Sequence, residues 1–572
     1  MCGIVGFVGN TFSSNELLLS LKRLEYRGYD SFGYATNEGI VEKEIGEIKE
    51  LPESACKSAV AHTRWSTHGG VTRENAHPHS DCSGNIFIVH NGIIENYEEM
   101  KEKLKGHEFL SETDSEVIAH YFEDKLKEKT MKEAVVDFFS EARGTFAILL
   151  IKKGDNNIYA FKRGSPLALG ICDGKYIVAS DIYAFSDKTE KAIFFHEDEL
   201  AVINENGYEF FRVYDSILKK EIKEIKHIEW ESTEEGKQKY EHFMLKEIYD
   251  EPFAAERLLK SLESEQAVTL HELKKMIQSS ERVVFVAAGT SYHASLLGVY
   301  FLNSVGIEAH TLIASEFRNF SKIDENALVI AISQSGETMD VIEALHGLKE
   351  KGAKIASIVN VPYSTIQRMS NISINILAGQ EVCVAATKTF VNQVIVLLKL
   401  ASLFGYKNII HSIPALIKKI LEKENEIREI AKNLAEKKDI YIIGRGLSYP
   451  IAREIALKLK EISYIHAEGM MAGELKHGTI ALIEQDTPVI ALLDGNTHII
   501  SNAKEVEARG ANVIALSSNS SPFNGIRIPS KCDGSFAILS AVAGQLLTYH
   551  IAKNKGLSID KPRNLSKTIT VL

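Results

Sequence analysis

Two textures of apolar and polar positions divide the chain. Up to about residue 225, short apolar runs predict strands at Gly3–Val8, Ile86–His90, Phe146–Ile151 and Tyr176–Ser180. Helical spacing of apolar residues falls on Asn15–Glu25 and Glu116–Lys127. From about residue 280 the apolar runs become continuous, end in glycine and lead into helical patterns. A buried parallel sheet with crossover helices reads this way. Between the two textures, Ser216–Lys239 is dense in charge, with the run Lys219–Lys226, and is expected to be a linker.

The second texture repeats itself. Val283–Gly289 (VVFVAAG) corresponds to Ile440–Gly446 (IYIIGRG), and Ala327–Ser333 to Thr487–Leu493. Expected helices at Asp340–Ala353 and His498–Ala511 match in length, and the strands Lys354–Asn360 and Asn512–Asn519 follow. The offset stays near 157–160 residues, so two related α/β subdomains are the simplest reading. The expected division is 1–215, a linker at 216–240, and subdomains at 241–425 and 426–572.

Composition narrows the class. A chain of 572 residues is too long for one core and implies three or so folding units. A net charge of -11 argues against nucleic acid or an anionic membrane as a partner. Cys2, Cys56, Cys82, Cys172, Cys383 and Cys532 form no CxxC pair, which fits reduced thiols and a cytoplasmic location. No signal peptide is expected, and the longest apolar stretch, Val391–Phe404, is broken by Asn392, Gln393 and Lys399.

Cys2 stands beside Gly3. Removal of Met1 would place a thiol and a free α-amine on one residue, and the amine can act as base for its own side chain. A lone cysteine there otherwise reads as a small core residue. Its company changes that reading. His62–Gly69 (HTRWSTHG) offers a guanidinium and hydroxyls, and His90-Asn91-Gly92 offers an amide and a glycine N–H at a strand end, the makings of an oxyanion hole. Asp114 either caps a helix or binds an ammonium group. A metal on His62, His68, His77 and His79 is not expected, because their spacing fits no common zinc pattern.

In the second texture, Ser333-Gln334-Ser335-Gly336-Glu337-Thr338 ends a buried strand and opens a helix, a place for a phosphate. Gly289-Thr290-Ser291 ends the preceding strand. The equivalent of the hydroxyl loop in the second copy begins at Asp494, which would repel phosphate, so one phosphate site per chain is expected. Glu454, Lys458 and Glu461 recur at i, i+4 and i+7, either a surface ladder or part of a site. His466–Glu468, Gly473–Gly478 and Lys561–Lys567 are also dense in acid/base groups.

The strings MCGIVG, RLEYRGYDS, HTRWSTHG, NAHPH, HNGIIENY and SETDSEVI resemble the glutaminase domain of N-terminal-nucleophile amidotransferases. HFMLKEIYDEP, GTSYHAS, ASEFR, SQSGET, ATKTF, LKLKEISYIHAE, AGELKHG and KPRNLSKTITV extend the resemblance, across essentially the whole chain, to the glucosamine-6-phosphate synthase family. The resemblance implies an α/β chain: an N-terminal-nucleophile αββα sandwich followed by two doubly wound parallel-sheet sugar isomerase (SIS) subdomains. It implies the substrates L-glutamine and D-fructose 6-phosphate, no cofactor or metal, and at least a homodimer. By the same resemblance Cys2 attacks glutamine, Asn91 and Gly92 form the oxyanion hole, and Arg64, Thr67, His68 and Asp114 hold the amino acid, with Trp65 gating ammonia. Ser291, Ser333, Gln334, Ser335 and Thr338 hold the phosphate. Lys567 forms a Schiff base, Glu461 moves a proton, Lys458 and Glu454 organise it, and His477 opens the sugar ring from a neighbouring subunit.

The chain departs from the family pattern at Ala386, often serine, which puts one sugar contact in doubt. Ser566 and Leu245 are smaller departures. A long insertion found in many eukaryotic relatives is missing, so feedback by a UDP-sugar is not expected. Two rival readings are a sugar-phosphate isomerase with a relic glutaminase half and a non-catalytic sugar-phosphate sensor.

Overall fold

The computed structural model describes residues 2–66, 69–228, 236–320, 322–349 and 351–569. The chain divides into two compact units, one of Met1–Ser232 with Ser566–Leu572 and one of Thr233–Leu565.

The first unit stacks two antiparallel sheets. The eight-stranded sheet runs, in spatial order, Lys226–His227, Lys191–Phe194, Ala168–Cys172, Lys175–Ala179, Gly3–Ser13, Ala55–Arg64, Ser31–Thr36 and Val41–Ile45. The second sheet has seven strands, with Ile86–Ile94 and Gly144–Lys152 paired near one edge. Alternation along each strand decides the layers. Phe87, Val89, Ala147, Leu149 and Ile151 face the first sheet's Ile4, Val8 and Val60. Their neighbours Ile86, Ile88, Phe146, Ile148 and Leu150 face helices Glu116–Lys125 and Met131–Glu141 through Val117, Phe122, Val135 and Phe138. Helix Ser14–Lys22 buries Leu17, Leu18 and Leu21 against the first sheet, which completes an αββα sandwich.

Part of the charged stretch read as a linker is strand. Ile217–Glu221 pairs antiparallel with Gly207–Tyr214 across a turn in which Asp215 and Ser216 take positive φ values of 47° and 63°. Leu218 packs on the helical side of the core, while Lys219 and Lys220 guard the exposed edge.

The second unit holds two five-stranded parallel sheets of identical order. One runs Ala309–Ile313, Arg282–Ala287, Ala327–Ser333, Lys354–Val359 and Ile372–Asn375. The other runs His466–Met471, Asp439–Gly444, Pro488–Leu493, Asn512–Ser517 and Gly525–Arg527. Continuous apolar runs arise because both faces are covered. Val283 and Phe285 of one sheet and Ile440 and Ile442 of the other enter a single large core, whereas Val284 and Val286, and Tyr441 and Ile443, enter separate smaller cores. The two helices expected to match in length do not. They span Met339–Leu345 and Thr497–Glu507, because Gly347 turns left-handed at φ +73° just past the first. Asp533–Asn554 is long and apolar enough to cross a membrane, but its apolar window is wholly buried inside the unit.

Candidate active sites

In the first unit the central strand and its neighbours converge on Cys2. Trp65, just past the strand Ala55–Arg64, donates its N–H to Cys2 Sγ at 3.3 Å. Asn91 Nδ2, from the second sheet, donates to the Cys2 carbonyl at 3.0 Å. The side-chain oxygen of Asn91 is buried and has no hydrogen-bond partner among the described residues. Gly92 sits at φ +131°, and a Cβ there would lie 2.0 Å from the Thr145 carbonyl, so only glycine fits. Burial pushes the Cys2 thiol up, while the Trp65 N–H and the Arg64 charge pull it down.

Buried Arg64 and Asp114 supply opposite charges beside that thiol. Arg64 Nη1 donates to the Gly70 carbonyl at 3.0 Å. Asp114 does not cap its helix through the cap residue. Instead it accepts from Ile94 N at 2.8 Å and from Ser115 Oγ at 3.3 Å. A cation and an anion near one thiol suit the carboxylate and ammonium ends of an α-amino acid. Asp30, which accepts from Ser66 N at 2.8 Å, and Glu112, which accepts from Gly70 N at 3.2 Å, add acidic groups that the sequence did not single out. Trp65 packs edge-on to Tyr29 at 5.8 Å between ring centroids. Thr67 and His68 lie outside the described residues. Behind the site, burial holds His62, His77 and His79 neutral, well below the usual imidazole range.

In the second unit, the loops after strands Arg282–Ala287 and Ala327–Ser333 adjoin at the carboxyl ends of neighbouring strands. This is where the strand order reverses, the usual ligand crevice of an open parallel sheet. Ser333 Oγ and Thr338 Oγ1 are 2.9 Å apart, the Gly336 N–H donates to Ser333 Oγ at 3.0 Å, and the Glu337 N–H donates to Ser335 Oγ at 3.1 Å. Gln334 and Ser335 are half-buried in this loop. Ser291, in the first turn of the helix Gly289–Asn303 that follows the adjoining strand, accepts from Gln393 Nε2 at 3.0 Å. The Ser333, Ser335 and Thr338 hydroxyls are thus gathered in one loop, where they can donate hydrogen bonds to a phosphate. In the second sheet the equivalent crevice carries Asp494, which accepts from Ser448 Oγ at 3.1 Å.

The ladder is buried. Lys458 Nζ lies 3.4 Å from Glu454 Oε1 and 2.6 Å from Glu461 Oε2. It reads in sequence as one helical face, but the α-helix stops at Lys458 and Glu461 stands in a π-helical turn, Leu459–Ser463, ended by Tyr464 at φ +56°. Such turns re-aim side chains at functional sites. Thr290 Oγ1 donates to Glu454 at 3.0 Å and His293 Nδ1 lies 2.7 Å from it, so residues of the first repeat complete the ladder. Glu381, also close enough to act on Lys458, accepts from Thr387 N at 3.0 Å and Thr389 Oγ1 at 2.7 Å. The sequence showed Thr290 at the strand end Gly289-Thr290-Ser291 and His293 only as part of GTSYHAS, and nothing marked Glu381. His477 is exposed at the end of the 3₁₀ turn Ala472–His477. Lys567 is half-buried in Ser566–Leu572, the segment grouped with the first unit.

A glutamine amidotransferase domain matches residues 62–187, and SIS domains match 276–403 and 433–551. A glutamine–fructose-6-phosphate aminotransferase (isomerizing) of Thermococcus kodakarensis is 40% identical over 608 aligned residues, which cover all of both chains. One of Methanosarcina mazei is 41% identical over 622, again with full coverage of both. The chain belongs to the glutamine–fructose-6-phosphate aminotransferase family. The C-terminal domain of a glucosamine-fructose-6-phosphate aminotransferase from Francisella tularensis is 34% identical, with a TM-score of 0.54, over 57% of this chain and all of that one. This aminotransferase family member keeps Thr387 and Lys388 buried after the half-buried Ala386.

Proposed function

We propose that this chain transfers the amide nitrogen of L-glutamine to D-fructose 6-phosphate and isomerises the product to D-glucosamine 6-phosphate, releasing glutamate. The observation that carries the reading is the cradle around Cys2, with Trp65 N–H on its sulfur and Asn91 on its carbonyl, in a chain alike over its full length to the family.

Burial raises the thiol, so Cys2 needs a base, and its own α-amine, freed by loss of Met1, takes the proton. The sulfur attacks the amide carbon, the C–N bond breaks as ammonia leaves with that proton, and water then hydrolyses the thioester to free glutamate. Asn91 Nδ2 and the Gly92 N–H take the oxyanion, Arg64 and Asp114 hold the carboxylate and ammonium with Thr67 and His68, and Trp65 gates the released ammonia. In the second unit Ser333, Gln334, Ser335 and Thr338, with Ser291, bind the phosphate. His477, from a neighbouring subunit, opens the ring. Lys567 condenses with the sugar carbonyl, losing water, and ammonia displaces it. Glu461 then carries a proton between C1 and C2, with Lys458 and Glu454 fixing its position. No cofactor enters the reaction. The enzyme works in the cytoplasm as a dimer at least.

The test is a coupled assay for glutamate and amino sugar in the wild type, Cys2→Ala and Lys567→Ala. Both variants lose glutamine-dependent product, and ammonium salts restore it only in Cys2→Ala. Amino sugar made from glutamine by Cys2→Ala would overturn the reading.

A further inference from the structure

A second cluster, unrelated to the reaction, lies at the edge of the first unit. Cys82, His107, His120 and Glu123 each offer one ligand atom, and the four atoms lie within 4.8 Å of one another. It is the one such group among the described residues. Cys82 Sγ is 3.4 Å from His107 Nδ1 and 3.5 Å from His120 Nδ1. Glu123 Oε2 is 3.1 Å from His107 Nδ1 and 3.4 Å from His120 Nδ1. Ligands ~2.0–2.3 Å from a tetrahedral zinc ion stand ~3.3–3.8 Å from each other. The four separations are therefore close to the edges of such a tetrahedron.

The outer faces of the imidazoles make a second argument. His107 Nε2 lies 3.1 Å from Asp124 Oδ1, and His120 Nε2 lies 3.7 Å from Glu116 Oε1. His120 Nε2 is buried and too far from Glu116 for a hydrogen bond, but His107 turns one nitrogen inward and the other onto a carboxylate. That is how metal-bound histidines are oriented and made more basic. The buried trio His62, His77 and His79 differs, since its rings stack edge to face at 3.9 and 4.5 Å.

We propose that Cys82, His107, His120 and Glu123 bind one divalent ion of the zinc class as a structural clip. One thiolate, two imidazoles and a carboxylate form a borderline donor set that suits zinc over magnesium or calcium. Binding releases the Cys82 thiol proton and leaves both imidazoles neutral. Cys82 is exposed, which gives the ion a way in. The clip joins the turn before strand Ile86–Ile94, the loop that carries His107, and helix Glu116–Lys125. The same strand bears Asn91 and Gly92, and Asp114 stands two residues before that helix begins.

The full chain, stripped of metal by a chelator, is titrated with cobalt(II) and then zinc(II). The expected result is a thiolate-to-cobalt charge-transfer band with intense visible bands, saturating at one ion per chain and abolished by zinc. The band persists in Cys2→Ala and disappears in Cys82→Ser and His107→Ala, two sites near the surface whose metal-free folds are checked by circular dichroism. Asp124→Asn weakens cobalt affinity ~10–100-fold. Zinc raises the melting temperature of the wild type and not of Cys82→Ser. Absence of the charge-transfer band, or its survival in Cys82→Ser, overturns the proposal.

Discussion

Replacing Lys458 by methionine keeps the length of the side chain and deletes its charge. The ammonium is 1% exposed and sits between Glu454 and Glu461. Burial presses it toward neutrality, yet the two carboxylates outweigh burial and hold it above the usual lysine range. Removing one member of a buried pair costs ~3–5 kcal/mol, because the partner is left charged and unpaired. Here the cost divides unequally. Glu461 is 19% exposed and can turn to water, whereas Glu454 is 3% exposed and cannot. Glu454 does keep Thr290 Oγ1 at 3.0 Å and His293 Nδ1 at 2.7 Å, which places the loss at the lower end, ~3 kcal/mol. At ~2 °C per kcal/mol for a large domain, Lys458→Met melts ~6 °C below the wild type. The double variant Lys458→Met/Glu454→Gln, which removes the stranded charge, recovers at least half of that difference. The assay is thermal unfolding of the full chain by circular dichroism and fluorescence together. A drop of under ~1 kcal/mol, or no recovery in the double variant, would show that the ladder behaves as an exposed ion pair and refute the argument.

Three other outcomes are expected. Asn91→Ala lowers kcat for glutamine hydrolysis ~100–1,000-fold, as loss of an oxyanion donor does, while synthesis from added ammonium is unchanged; steady-state kinetics with each nitrogen source check this. Gly92→Ala abolishes glutaminase activity and lowers the melting temperature, since its methyl group would meet the Thr145 carbonyl at 2.0 Å. Glu251 is fully buried, and burial drives its carboxyl well above its ordinary 4.5 against the pull of Gln545. The folded chain therefore holds a proton that the unfolded chain gives up, and stability falls as pH rises from 4.5 toward the folded value. Glu251→Gln removes that loss, so it is more stable than the wild type near neutral pH, and the gap closes as pH falls to 4.5, as denaturant melts at a series of pH values report.

What was legible in the sequence followed the range of the interaction. Strand alternation and the repeat are local patterns, and they located the sheets and the crevice at Ser333–Thr338. Spacing on a helix made the Glu454–Lys458–Glu461 ladder visible, but not its π-turn, because that turn keeps the same residue order and changes only the hydrogen bonds. His293 meets Glu454 across 161 positions, and no local rule links them. The Cys82 cluster was hidden for the same reason: His120 and Glu123 stand three apart on one helix, but Cys82 lies 38 residues before His120. The expected Asp340–Ala353 helix was too long because glycine's left-handed turn at residue 347 is a backbone choice that apolar periodicity does not register.

The buried helix Asp533–Asn554 has a consequence for how the chain is made. It packs against Phe243–Glu263, Lys388–Ser402 and Ile413–Leu421 on one hand and Ser448–Lys458 on the other. Synthesis proceeds from the amino end, so the first parallel sheet, complete at Asn375, emerges about 160 residues before Asp533, where this helix begins. Until it is made, the faces of Phe243–Glu263, Lys388–Ser402 and Ile413–Leu421 that it covers lack their partner. The last helix therefore ties together elements of both repeats, so the second unit completes its packing only after the whole chain has been made.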